Sequence, residues 1–168
     1  MSVAGPEGVL ITGVYGSGKS SVAAEIGYLL EQQDALYAML DLDYLGWVGD
    51  HATGYAMMLR NLNVVAANCR DLGVGRYILA YFVRNLDALG DIRNAVGVPL
   101  RVVRLSVPLT EIERRLSTDV TSGRRDDLRD AAASIADSEG VGVEDLVVKS
   151  DRPVAEIARE LTAWLGWQ

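Results

Sequence analysis

The 168-residue chain has one cysteine, one histidine, four prolines and no surplus of positive charge. Each shortage removes a class of protein. Cys69 alone cannot close an intramolecular disulfide, and the apolar stretch before it, Val64 to Ala67, makes it a buried thiol suited to a reducing cytoplasm. With His51 as the only histidine there is almost no material for a histidine-based triad or a zinc cluster. No segment approaches the ~18 uninterrupted apolar residues of a membrane span. The opening MSVAGPEGVLITG lacks a basic region followed by a signal-length apolar run. The 16 basic and 23 acidic side chains give a formal charge of −7, which opposes a polynucleotide partner. The densest basic group, Arg114, Arg115, Arg124, Arg125 and Arg129, is local, as for a phosphate site. The expectation is a cytoplasmic monomer or homodimer acting on a small molecule, with neither nucleic acid nor membrane as partner.

With 49% hydrophobic and 23% charged residues the composition is that of a globular protein, and the length fits one domain, 1–168. Short apolar runs alternate with longer amphipathic segments, which is how βαβ units around a parallel sheet read in sequence. Strands are predicted at Gly8–Thr12, Leu36–Leu40, Tyr77–Phe82, Leu100–Leu105 and Leu146–Val148. Most are apolar throughout, as for strands covered on both faces. Apolar spacings of three and four predict helices at Lys19–Gln32, within Thr53–Leu72, and at Leu86–Val96, Leu109–Leu116, Asp126–Ser138 and Val154–Leu165. Gly73 and Gly97 stand where helices should end. Pro153 fits the first position of the last helix, with Ser150 or Asp151 as its cap.

Between the first strand and the first helix, GVYGSGKS (Gly13 to Ser20) matches G-x-x-x-x-G-K-[ST] at every fixed position. Gly13, Gly16 and Gly18 permit backbone conformations that turn N–H groups inward around phosphate oxygens. The helix starting near Lys19 adds its positive end. Lys19 should reach the β- and γ-phosphates and the Ser20 hydroxyl should ligate Mg²⁺, with Ser17 a lesser candidate.

Asp41 and Asp43, in LDLDYLGW, lie at the carboxyl end of the second strand, the edge where open α/β sheets bind ligands. If the segment is extended, both carboxylates point the same way. One could support the metal while the other orients and deprotonates an acceptor hydroxyl. Alternatively one caps the next segment and the other is solvated. Tyr44 and Trp47 could stack on a substrate or pack in the core. The third strand delivers Arg84 and Asn85 to the same edge, where Arg84 could clamp an anionic substrate group or pair with Asp87 or Asp91. Asn61 and Asn68, seven apart, share a helix face that could bind substrate hydroxyls. ERRLSTDVTSGRRDD reads as a flexible segment that could close over the nucleotide, with Arg115 at a helix end and Arg124 or Arg125 in the loop as catalytic candidates.

These residues resemble the small P-loop kinases of the nucleoside monophosphate kinase superfamily over essentially the whole chain. The landmarks are GVYGSGKSS (Gly13 to Ser21, including Tyr15), the D-x-D of Asp41 and Asp43, the E-R-R-L helix and SDRPVAEIA after the last strand. The D-x-D is similar to that of shikimate kinase, and LDLD with YFVRN looks like adenylylsulfate kinase. Chloramphenicol phosphotransferase and gluconate kinase are similar in layout. The resemblance implies a three-layer α/β/α fold with sheet order 2-3-1-4-5, ATP over the loop, Ser150 to Pro153 (hence Asp151 and Pro153) near the adenine, and the acceptor beneath a lid around 117–127. Two departures stand out. Thr118 and Asp119 replace a basic lid position, and no aspartate closes the third strand. The activity implied is transfer of the γ-phosphate of ATP to a hydroxyl of a nucleoside, sugar-like compound or antibiotic. A nucleoside monophosphate or adenylylsulfate-type kinase and a non-catalytic ATP-binding regulatory module are the alternatives.

Overall fold

The computed structural model describes residues 5–118, 124–138 and 142–168. Five strands, β1 (Glu7–Thr12), β2 (Tyr37–Asp41), β3 (Arg76–Ala80), β4 (Leu100–Ser106) and β5 (Leu146–Lys149), pair in parallel in the order β2-β3-β1-β4-β5. The helices are α1 (Lys19–Glu31), α2 (Leu42–Leu45), α3 (His51–Asp71), α4 (Leu86–Val96), α5 (Leu109–Ser117), α6 (Arg124–Ser138) and α7 (Val154–Leu165). Among the described residues, no helix is long and apolar enough to cross a membrane.

Successive strand side chains point to opposite faces, so an all-apolar strand feeds two cores at once. In β1, Val9 and Ile11 join one cluster with Val22 and Ile26 of α1 and Ile157 and Leu161 of α7. Leu10 joins a second with Leu62 of α3 and Leu89 and Ile92 of α4. Two covered faces make three layers. The central strand thereby presents its carboxyl end between the helical layers, where the phosphate loop begins.

The structure moves several predicted boundaries, and most of the shifts fall at the functional edge. β2 begins at Tyr37, leaving Leu36 exposed, so Asp41 is its last residue. β3 ends at Ala80, and the chain beyond is held by the Val83 amide on Thr12 Oγ1 (2.9 Å). The short α2 had no apolar period long enough to announce it. Helix α6 starts at Arg124, so Arg124 and Arg125 open a helix instead of lying in the loop. Pro153 is the cap residue of α7, not its first helical position, and neither Ser150 nor Asp151 caps that helix. Gly97 does end α4, with φ 68°.

One backbone contact shapes the region next to the loop. A Cβ on Gly54 would stand 2.6 Å from the Gly46 carbonyl oxygen, and one on Gly46 would stand 2.2 Å from the Gly54 carbonyl. The exit of α2 and the first turns of α3 thus touch main chain to main chain. In an unobstructed helix, Gly→Ala gains ~1 kcal/mol. Here the clash should outweigh that, and Gly54→Ala is expected to lower stability by about 1–3 kcal/mol in urea unfolding. A raised midpoint would show that the two segments separate freely.

Candidate active site

The loop between β1 and α1 takes the shape that its glycines permit. Gly13, Gly16 and Gly18 have φ of 148°, 79° and 96°, all in the region that disfavours a Cβ. At Gly13 space is short as well, because a Cβ would lie 2.8 Å from the Leu105 carbonyl oxygen and 2.7 Å from Ser17 Oγ. Lys19 Nζ donates to the Val14 carbonyl (3.1 Å), which folds its stem across the loop. Desolvation holds the Lys19 ammonium below its ordinary pKa, opposed by the nearby Asp43 and Asp41 carboxylates. Ser17 Oγ is buried without a hydrogen-bond partner, while the Ser17 carbonyl accepts from Ser150 Oγ at 2.7 Å. Tyr15 and Ser21 flank the loop, and both are exposed.

The two aspartates reach the loop by a route other than an extended segment. Asp41 ends β2 and caps α2: its Oδ1 accepts from the Asp43 amide (3.2 Å) and its Oδ2 from Ser20 Oγ (2.6 Å). Asp43 sits in the first turn of α2. Its carboxyl is pushed up, first by desolvation, then by Asp41, with Lys19 pulling the other way. Asp41 thus serves as the cap, while both carboxylates lie within electrostatic reach of Lys19. Ser20 and Asp41 offer adjacent oxygen donors of the kind Mg²⁺ takes. The Ser20 proton is turned toward Asp41, which leaves a hydroxyl lone pair for a metal. No group of three or more His, Cys, Asp or Glu among the described residues could hold a metal, so nucleotide oxygens and water would have to complete that shell.

Asp43 borders two adjoining cavities. One, of about 710 Å³, extends along α3 and α4 past Tyr55, Phe82, Arg84 and Asp91. The other, of about 450 Å³, lies under the α2–α3 turn between Tyr15, Trp47 and Met58. His51, Tyr55 and Tyr81 line both. Arg84 is exposed and lies over the Phe82 ring, 5.1 Å from its centroid. Trp47, 73% exposed, stacks with Tyr44 at 5.5 Å between centroids and so belongs to the cavity mouth, not the core.

Several expected residues go elsewhere. Asn61 does not line either cavity: its amide donates to the Leu45 carbonyl (2.7 Å) and ties α3 to the end of α2. Asn85 caps α4 through the Ala88 amide (2.8 Å). Arg115 reaches the loop from α5, donating to the Gly16 carbonyl (3.1 Å), to the Ser150 carbonyl and to Glu111 (2.8 Å). Arg114 is taken up by Glu111 (2.7 Å), whose carboxyl these two arginines hold down to about 2. The Ser150 bonds bring the β5–α7 turn against the loop, with Asp151 and Pro153 on its exposed side. The side chains of Arg124 and Arg125, and residues 119–123 of the expected lid, lie outside the described residues. Sequence reasoning did not single out Tyr55 or Tyr81 and named Asp91 only as a possible ion-pair partner of Arg84; the three come from α3, the segment just after β3, and α4.

A parallel sheet in the order 2-3-1-4-5, with a phosphate loop after its central strand and an acidic residue closing the edge strand β2, is the fold of the small P-loop kinases. Solved structures with this fold include a sugar kinase from Janibacter sp. (18% identity, 97% of this chain and 95% of that one, TM-score 0.69). An APS kinase from Mycobacterium tuberculosis, solved with AMPPNP and APS, aligns at 24% identity over 98% and 99% of the two chains, TM-score 0.64. A shikimate kinase from Bacteroides thetaiotaomicron aligns at 14% identity over 95% and 98%, TM-score 0.68. No protein-family model and no curated protein matches the chain.

Proposed function

We propose that the protein is a small-molecule kinase that moves the γ-phosphate of ATP to a hydroxyl of an acceptor bound beside Asp43. The observation that carries this reading is the position of Asp43: it borders both cavities and lies within electrostatic reach of Lys19 in the phosphate loop. A residue that only held nucleotide would have no reason to face the cavities.

Phosphoryl transfer asks a protein mainly for positioning and charge compensation. Loop amides and the start of α1 would receive the β- and γ-phosphates, with Lys19 over their oxygens. Ser20, oriented by Asp41, would hold Mg²⁺, which supplies charge neutralisation at the phosphate oxygens when bound. Asp43 would orient the acceptor hydroxyl and take its proton as the acceptor oxygen bonds to the γ-phosphorus. The bond from that phosphorus to the β,γ-bridging oxygen breaks, and ADP leaves. Arg115, already against Gly16 and Ser150, is the candidate for the nucleotide's outer phosphate or sugar side. Asp151 and Pro153 are candidates for the adenine side, and Arg124 for the closing segment.

The test is ADP release from ATP and Mg²⁺ across a panel of hydroxylated metabolites that includes nucleoside monophosphates. Turnover that depends on an acceptor is the expected result. Tight ATP binding with no acceptor-dependent ADP from any member would make the protein a nucleotide-binding module instead. Phosphorylation of a nucleoside monophosphate alone would move the reading to a nucleotide kinase.

A further inference from the structure

The walls of the two cavities differ in kind, and the difference speaks to the acceptor. In the larger one, among the described residues, four carboxylates, Asp43, Asp87, Asp91 and Asp130, stand with one arginine, Arg84, and one histidine, His51. Asp91 is fixed in place, because Tyr55 donates its phenol to Oδ2 at 3.0 Å. Desolvation and then that carboxylate raise the Tyr55 phenol to about 12, so it remains a donor. Arg84 leans on the Phe82 ring. The smaller cavity is richer in apolar and aromatic side chains, with Trp47, Val48, Met58, Tyr55 and Tyr81 on its walls beside Asp43, Asp50 and His51.

From this juxtaposition we infer that the acceptor is an amine-bearing alcohol with a ring or other apolar portion, and not a carboxylate, phosphate or sulfate ester. The inference rests on the kinase reading above. The apolar portion lies against Trp47 and Met58, the reacting hydroxyl meets Asp43 at the junction, and the ammonium points along α4 toward Asp87 and Asp91. An anionic acceptor would meet an excess of like charge among the described residues of the larger wall, where Arg84 stands against four carboxylates. The whole cavity thus selects by sign of charge, while the aromatic chamber selects by shape.

The experiment is acceptor-dependent ADP release with charge-matched trios on several scaffolds. Phenyl β-D-glucosaminide, phenyl β-D-glucoside and phenyl β-D-glucuronide form one trio, and nucleosides and aryl diols with amino, neutral and carboxylate substituents form others. The amine member of a trio should have the highest kcat/KM. Asp87→Asn should then raise KM for that member by about 3- to 5-fold, the size of a partly exposed ion pair, and Asp87→Asn with Asp91→Asn by about 10-fold. The ratio of kcat/KM for the amine to that for the neutral member should fall in Asp87→Asn, which separates lost charge from lost structure. ATP affinity, measured by calorimetry, should stay the same in that variant and reports that it is folded. Preference for a neutral or anionic member overturns the inference and leaves the kinase reading standing. An unchanged KM for the amine in both variants also overturns it. No turnover of any member by ATP-saturated protein overturns both.

Discussion

Lys19→Ala is expected to reduce kcat by about 10³-fold or more in the acceptor-dependent assay while leaving the protein folded. Lys19 is the one cation the loop itself provides, and its ammonium is held across the loop on the Val14 carbonyl. Burial has already removed much of its water, so its interaction with phosphate oxygens is stronger than the same pair would have in solvent. The same desolvation bears on stability. A lysine whose folded pKa is lowered favours the neutral form on folding, and its charged form therefore costs stability below that pKa. Its removal should not lower the urea midpoint at neutral pH. Lys19→Arg should not rescue activity, because a planar guanidinium cannot replace a compact ammonium in the loop. Turnover within tenfold of the parent would remove Lys19 from the chemistry.

Asp43→Asn is expected to lower kcat by about 10²- to 10⁴-fold, the range of a positioned general base, with ATP affinity nearly unchanged. The pH profile separates a base from a bystander. Only the deprotonated carboxylate can accept a proton, so the rate falls as pH falls through the Asp43 pKa. Because desolvation and then Asp41 push that pKa up, the acid limb should lie above the ordinary aspartate value of about 3.9. In Asp41→Asn one raising influence is gone, and the limb of the remaining activity should move to lower pH. A limb that stays in place, or a kcat unaffected by Asp43→Asn, would assign the proton transfer elsewhere. The raised pKa also means that ionised Asp43 is a cost to folding above it, so the asparagine variant should be at least as stable at neutral pH.

How far the sequence discloses this site depends on where each residue finds its partner. The phosphate loop is legible because its pattern encodes backbone shape: Gly13, Gly16 and Gly18 each take a positive φ, and Lys19 follows at the start of α1. The sheet is legible for a similar reason, since unbroken apolar strands imply cover on both faces. The position of Asp41 and Asp43 follows from the second strand's end, but their geometry does not. It depends on a one-turn helix capped by Asp41, shorter than any periodicity can reveal. Asn61 misleads because its partner is a main-chain carbonyl, Leu45, and carbonyls leave no mark on composition. Tyr55, Tyr81 and Asp91 become one wall only after α3, the segment following β3 and α4 have been packed together. Arg115 is visible as an arginine near a lid, yet its bonds to Gly16 and Ser150 join stretches of chain far apart in sequence.

On the kinase reading proposed above, the close approach of Gly46 and Gly54 bears on how this protein could acquire a different acceptor. The floor of the smaller chamber is main chain against main chain, and main chain cannot be trimmed or enlarged one methyl at a time. Its width there is a property of the fold. Variation in what the chamber admits must come from the opposite side, from Trp47 at the mouth and from Met58, whose unbranched stem can repack around a new shape. Relatives with altered specificity should differ at those two positions and keep both glycines, and libraries directed at the acceptor should leave the glycines alone.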